Sequence, residues 1–111
     1  MRRSARVFSA LGDETRLSLV SRLSAGQPLS ISRLTDGQGQ SRQSITKHLR
    51  VLARAGVVHG VRRGRERCFQ LKPDALQQAR ESLDRISRQW DVALGRLKDM
   101  LEHGGGSAES P

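Results

Sequence analysis

Between Ser41 and Leu71 the chain reads as one helix that runs straight into one hairpin, and few folds accommodate that order. Ile45, Leu49 and Leu52 fall at steps of four and three residues, the helical repeat. Ser41 stands where an N-cap belongs and Gly56 where a helix stops. Val57 to Val61 and Arg67 to Leu71 are strand-like, and Arg62-Arg63-Gly64-Arg65 joins them as a tip of glycine and arginine. A helix with one apolar stripe cannot bury that stripe against a hairpin alone, so the rest of the chain must supply covering helices.

The flanking sequence supplies them. Ala5, Val7, Phe8 and Leu11 form a short stripe over Ser4 to Leu11, ended by Gly12. Asp13 caps a second helix with Glu14 in its first turn, and Leu17, Val20 and Leu23 are expected on its apolar face before Gly26 stops it. Ser30 caps a third, short helix that buries Ile31 and Leu34, and Asp36-Gly37-Gln38-Gly39-Gln40 is turn chemistry. After the hairpin, Pro73 suits a helical first turn and a long helix follows to about Leu101. Its stripe is Leu76, Ala79, Leu83, Ile86, Trp90, Leu94, Leu97 and Leu101.

The expected fold is therefore mostly α with a small β-hairpin: a winged helix-turn-helix. Residues 1–103 form the one domain that 111 residues allow, and 104–111, with nothing to bury, form a disordered tail. The hydrophobic share is 35%, and the 11 glycines raise the apolar share only to roughly 45%, the low edge of the globular range. So lean a chain buries a modest core, which leaves room for a partner subunit to supply more.

Charge narrows the partner. Arg42, Lys47, Arg50, Arg54, Arg62, Arg63, Arg65, Arg67 and Lys72 all lie between Ser41 and Lys72, against the single acid Glu66. That window holds +8 of the formal +9, and so concentrated a field favours a polyanion, with nucleic acid the default. An anionic membrane is the runner-up, but the densest basic run, Arg62 to Arg67, is not helical and lacks an apolar counter-face. No stretch has the length of a membrane span or a signal peptide's apolar run, and the single Cys68 excludes an internal disulfide, so the chain reads as cytoplasmic.

Four fragments together resemble one family. Phe8-Ser9-Ala10-Leu11-Gly12-Asp13-Glu14-Thr15-Arg16-Leu17 is similar to the opening of ArsR-family repressors. Ser41-Arg42-Gln43-Ser44-Ile45-Thr46-Lys47-His48-Leu49-Arg50-Val51-Leu52 and the exit Ala55-Gly56-Val57-Val58 resemble their recognition helix and its end. Arg63-Gly64-Arg65, then Phe69-Gln70-Leu71, resemble their wing, and the likeness runs over about residues 5 to 101. It implies a homodimer through the first and last helices and repression at a near-palindromic operator.

The residue chemistry agrees independently. With Ile45 and Leu49 inward, Ser41, Arg42, Gln43, Ser44, Thr46, Lys47 and Arg50 form the outward, hydrogen-bonding set that a major groove requires. Gln43 can pair with adenine and Arg42 with guanine, Ser44 and Thr46 with bases or phosphates, and Lys47 and Arg50 with phosphates. Arg62, Arg63 and Arg65 at the hairpin tip suit duplex backbone or a minor groove. Along the last helix, Leu83, Ile86, Trp90, Leu94, Leu97 and Leu101 exceed what a small core needs; with Val7 and Phe8 they are the expected subunit interface.

Other chemistries lack their residues. His48 borders the apolar face, His59 has no acidic neighbour in its strand, and His103 sits at a helix end, so no acid, base and nucleophile are assembled and no enzyme is expected. Relatives that sense metals use a Cys-x-Cys pair where this chain has Ser30-Ile31-Ser32-Arg33-Leu34-Thr35, or Asp and His on the last helix. Here Asp84 and Asp91 have no histidine partner before His103, so neither metal nor other cofactor is expected. Cys68, beside several arginines, is a candidate redox switch or simply a half-buried strand residue. No small-molecule effector can be assigned. An RNA-binding winged helix and a protein–protein adaptor remain as rival classes.

Overall fold

The computed structural model describes residues 2–104. Its elements are α1 (Arg2–Leu11), α2 (Glu14–Leu23), β1 (Leu29–Ser30), α3 (Ile31–Thr35), α4 (Arg42–Arg54), β2 (Val58–Arg63), β3 (Glu66–Leu71) and α5 (Pro73–Asp99), then a π-helical turn at Met100–Gly104. Of the expected tail, Gly104 closes that turn and 105–111 lie outside the described residues. The chain divides within α5 into two units, one ending at Ala79 and the other starting at Arg80.

Local chemistry places the first unit's helices. Asp13, Ser30 and Ser41 each stand at an N-cap in extended backbone, and each side chain accepts from the backbone N–H three residues on, Arg16, Arg33 and Ser44 respectively. The Arg16 N–H donating to it holds the Asp13 carboxyl below the usual carboxylate range, reinforced by the Arg16 charge. A lowered carboxyl stabilises the fold above its ordinary pKa and loses that contribution as pH falls through the lowered one.

The hairpin turns at Gly64-Arg65, with Arg63 facing Glu66 across the ladder. Gly64 takes φ +60 while no non-glycine residue among the described residues has positive φ, the arrangement of a two-residue turn with glycine first. Arg62 and Arg63, expected in the connecting tip, instead end β2. The expected hairpin is also part of a three-stranded antiparallel sheet in the order β1-β3-β2, because Leu29 and Ser30 pair with Phe69 and Cys68. Ser30 thus ends a strand and caps a helix at once, tying the wing to the entry of α3.

Val7, Ala10, Leu19, Leu23, Leu34, Ile45, Leu49, Leu52, Val57, Val58, Phe69, Ala75 and Ala79 make one core. Two expectations need correction here. Leu17 is 52% exposed, and Leu19 takes the inward place with Leu23; at about 100° per residue, Leu19, Val20 and Leu23 share one face, with Leu17 about 200° before Leu19. Val7, expected at a subunit interface, is fully buried in this core and has no surface to offer a partner. Phe8 beside it is half-buried.

In the second unit α5 continues with Ser82 buried and Ile86 half-buried, while Leu83, Trp90, Leu94, Leu97 and Leu101 are each half-exposed or more. Arg85 Nη2 donates to Ser82 Oγ at 3.3 Å, and Lys98 pairs with Glu102 at 3.8 Å.

Candidate nucleic-acid interface

α4 is set in place from both ends of its approach. Gly37 and Gly39, with φ of +77 and +67, turn the chain between α3 and α4. Two glutamines in that turn reach back to α2. Gln38 Nε2 donates to Ser18 Oγ at 3.1 Å, and Gln40 Nε2 donates to Thr15 Oγ1 at 2.7 Å. Gln40 Oε1 meanwhile accepts from Ser44 Oγ at 2.6 Å, so one side chain bridges α2 to the first turn of α4. Arg22 of α2 closes the other helix of the pair, donating to the Arg33, Leu34 and Asp36 carbonyls at the end of α3.

Further along α4, His48 Nδ1 lies 3.3 Å from Arg16 Nη1 and 3.7 Å from Asp13 Oδ2. Arg16 Nε also donates to the Ala10 carbonyl, so its guanidinium links the end of α1 to α4 across the head of α2. His48 is accordingly a packed, hydrogen-bonded residue inside the fold. Replacing Ser41 by alanine removes the cap of α4 and is expected to destabilise the fold by about 1 kcal/mol, read as a lower urea midpoint at unchanged m-value.

The outer face of α4 carries what the inner face does not. Arg42, Gln43, Lys47 and Arg50 are exposed and Thr46 is half-buried, and these five line one shallow open depression. Thr46 Oγ1 donates back to the Arg42 carbonyl at 2.7 Å, and Ser44, half-buried, has its hydroxyl turned to Gln40. The expected set therefore divides: Ser41 and Ser44 hold the helix start, and the other five present themselves. No acid interrupts the chain between Asp36 and Glu66.

The wing presents Arg62, Arg63 and Arg65, all exposed, and alternation along β2 sends Arg62 and Arg63 to opposite faces of the ribbon. Arg67 lies back from the tip with its guanidinium 5.6 Å from the Phe69 ring centroid, a cation–π contact that ties it to the buried anchor of the strand. Cys68, expected half-buried, is 3% exposed, which shields its thiol. His59 Nε2 lies 3.3 Å from Gln70 Oε1, and Gln70 Nε2 donates to the Gly26 carbonyl at 2.7 Å. Among the described residues no three His, Cys, Asp or Glu side chains gather in one place, and no helix is long and apolar enough to cross a membrane.

Sequence reasoning missed Gln38, Gln40, Arg16 and Arg22 because their roles are long-range hydrogen bonds that no local pattern announces. Arg54 had a signal: Gln43, Lys47, Arg50 and Arg54 step by four, three and four, which puts Arg54 on the outward face of the same helix.

Comparison with known proteins agrees with this geometry. A family described as a helix-turn-helix domain matches residues 11–61. The HTH-type transcriptional regulator Rv2034 of Mycobacterium tuberculosis is 35% identical over 100 residues, covering 90% of both chains. An ArsR-like transcriptional regulator from Rhodococcus sp. RHA1 has a similar structure, with a TM-score of 0.72 and 36% identity over 89% of this chain and 92% of that one. The transcriptional repressor BigR from Xylella fastidiosa is similar with a TM-score of 0.57 and 26% identity over 69% and 79%. A short helix, a glycine turn, a basic outward helix and an arginine-tipped wing, found in a chain so similar to these regulators, are the parts of a DNA-binding protein: the chain belongs to the ArsR family of winged helix-turn-helix transcriptional regulators.

Proposed function

We propose that this regulator represses transcription as a homodimer, with the α4 face of each protomer reading one half of a near-palindromic operator. The observation that carries the reading is the depression on α4, where Arg42, Gln43, Thr46, Lys47 and Arg50 stand together with no acid among them. Arg42 and Gln43, at the start of the helix, are assigned to base edges, and Lys47, Arg50 and the wing arginines to phosphates. A two-fold protein calls for half-sites about one helical turn, roughly 34 Å, apart or a small multiple of it.

The experiment is selection of duplexes from a random pool by the full chain at a stated salt concentration. Recovery of a two-fold-related sequence supports the reading, and recovery of no common sequence defeats it. On the selected duplex, Gln43→Ala or Arg42→Ala is expected to relax the preference at one base position per half-site by about 1–3 kcal/mol. Binding titrations against each single-base variant measure this.

The subunit contact is assigned to α5. Leu83, Trp90, Leu94 and Leu97 repeat at helical spacing along α5, and Leu101 follows in the π-helical turn; each is at least half-exposed, which leaves an apolar stripe without cover. Phe8 is assigned to the same contact, without Val7. Trp90, 62% exposed, is the largest of these side chains, and Trp90→Ala is expected to shift the dimer toward monomer. Sedimentation at micromolar concentration tests this, and an undisturbed dimer places the contact elsewhere. A regulator of chromosomal promoters works in the cytoplasm, and we assign it there.

A further inference from the structure

Three arginines of α1, Arg2, Arg3 and Arg6, meet Arg54 of α4 around a second open depression, which Ala55 and Gly56 also line. All four are exposed, and among the described residues none of them has a carboxylate within ion-pair distance. We propose that this cluster is a second phosphate-binding surface, which takes the backbone of the same duplex beyond the contacts of α4 and the wing.

The proposal rests on the DNA reading above and extends it. Arg54 belongs to two surfaces at once. It continues the Gln43, Lys47, Arg50 stripe of α4, and it lines the depression with the α1 arginines. Neither the Gln43, Lys47, Arg50, Arg54 stripe nor the lining of the α1 depression contains an acid. Four like charges around one depression repel one another, and an anion bound among them removes that repulsion. Guanidinium groups match phosphate oxygens through paired N–H donors.

Within α1 the cluster lies away from Phe8, the residue of this helix assigned to the subunit contact. Phe8 lies two residues beyond Arg6, about 200° around α1, so the half-buried aromatic and the arginines occupy different sides of the helix. Backbone contacts position a protein without reading sequence. The cluster is accordingly expected to raise affinity and salt sensitivity while leaving base preference alone.

The test uses the full chain and its selected duplex, with an Arg2→Ala/Arg3→Ala/Arg6→Ala variant, the corresponding triple lysine variant and an Arg62→Ala/Arg63→Ala/Arg65→Ala wing variant. Two quantities are read: the slope of log K against log salt, and the set of phosphates whose ethylation blocks binding. The α1 alanine variant should lose up to about 2.7 from the magnitude of the slope, at about 0.9 per phosphate released. It should also lose a block of interfering phosphates different from the block lost by the wing variant, with base preference unchanged. The lysine variant should recover most of the slope, since neutralisation requires only charge; this also shows that the loss is not a folding defect.

A parental slope and an intact phosphate set in the α1 alanine variant overturn the proposal and leave the DNA reading standing. Lysine and alanine variants that are equally impaired overturn it as well, since charge is then not what the positions supply. A parent with no salt-dependent affinity for any duplex overturns the DNA reading itself, and this proposal with it.

Discussion

Replacing Arg62, Arg63 and Arg65 by alanine together should weaken binding to every duplex while leaving the order of preferred sequences intact. Each arginine that neutralises a phosphate releases about 0.9 of a counterion, so three contribute up to about 2.7 to the log–log salt slope. Between roughly 50 and 200 mM salt, the parent should therefore lose about 40 times more affinity than the variant. The expectation follows from the ribbon. All three arginines are exposed, Arg62 and Arg63 face opposite sides, and Gly64 gives the two-residue turn that carries Arg65 at the tip. Titrations at four salt concentrations check it, and an unchanged slope removes the wing from the phosphate contacts.

The second large effect lies under the reading face. Leu49 is fully buried on the inner side of α4, in one core with Leu19, Leu23 and Phe69. Leu49→Ala removes that packing and is expected to cost about 2–5 kcal/mol, against a total stability of about 5–15 kcal/mol for a domain of this kind. Urea unfolding should show a large fall in midpoint with the m-value kept. DNA affinity measured where the variant is still folded should change much less, because Leu49 is fully buried in the core and lines no part of the α4 depression. A variant as stable as the parent contradicts the core assigned to α4.

Much of this arrangement was legible in the sequence, and the physical reason is locality. The three caps, Asp13, Ser30 and Ser41, act on backbone N–H groups three residues away, so their chemistry is written within one helical turn. The Gly64 turn is equally local, as is the outward stripe Gln43, Lys47 and Arg50 on α4, fixed once Ile45 and Leu49 are inward. What escaped depends on distance along the chain. β1 has two residues, too few to show a period, and exists because Leu29 and Ser30 meet Phe69 and Cys68 some 40 residues on. The Gln40 bridge from Thr15 to Ser44 and the Arg16 contact with His48 are of the same kind. Leu17 is a different failure: α2 carries two leucine sets, and the angular arithmetic favours Leu19, Val20 and Leu23.

The candidate site consequently has two classes of residue. Ser41, Ser44, Gln40 and His48 hold α4 through bonds made within the fold, whereas Arg42, Gln43, Lys47, Arg50 and the wing arginines are exposed; Thr46 belongs to both, lining the depression with its hydroxyl bonded back to the Arg42 carbonyl. Substitutions in the first class are expected to lower stability first, and in the second to lower affinity at unchanged stability.

The central claim, that the α4 face and the wing bind duplex DNA by sequence, is tested most directly by one titration. The full chain is measured against its selected duplex and a scrambled duplex of equal length over a salt series. The account predicts a preference of at least about a thousandfold for the selected sequence, with log K falling linearly as log salt rises on both duplexes. Equal affinity for the two, or an affinity indifferent to salt, would contradict it.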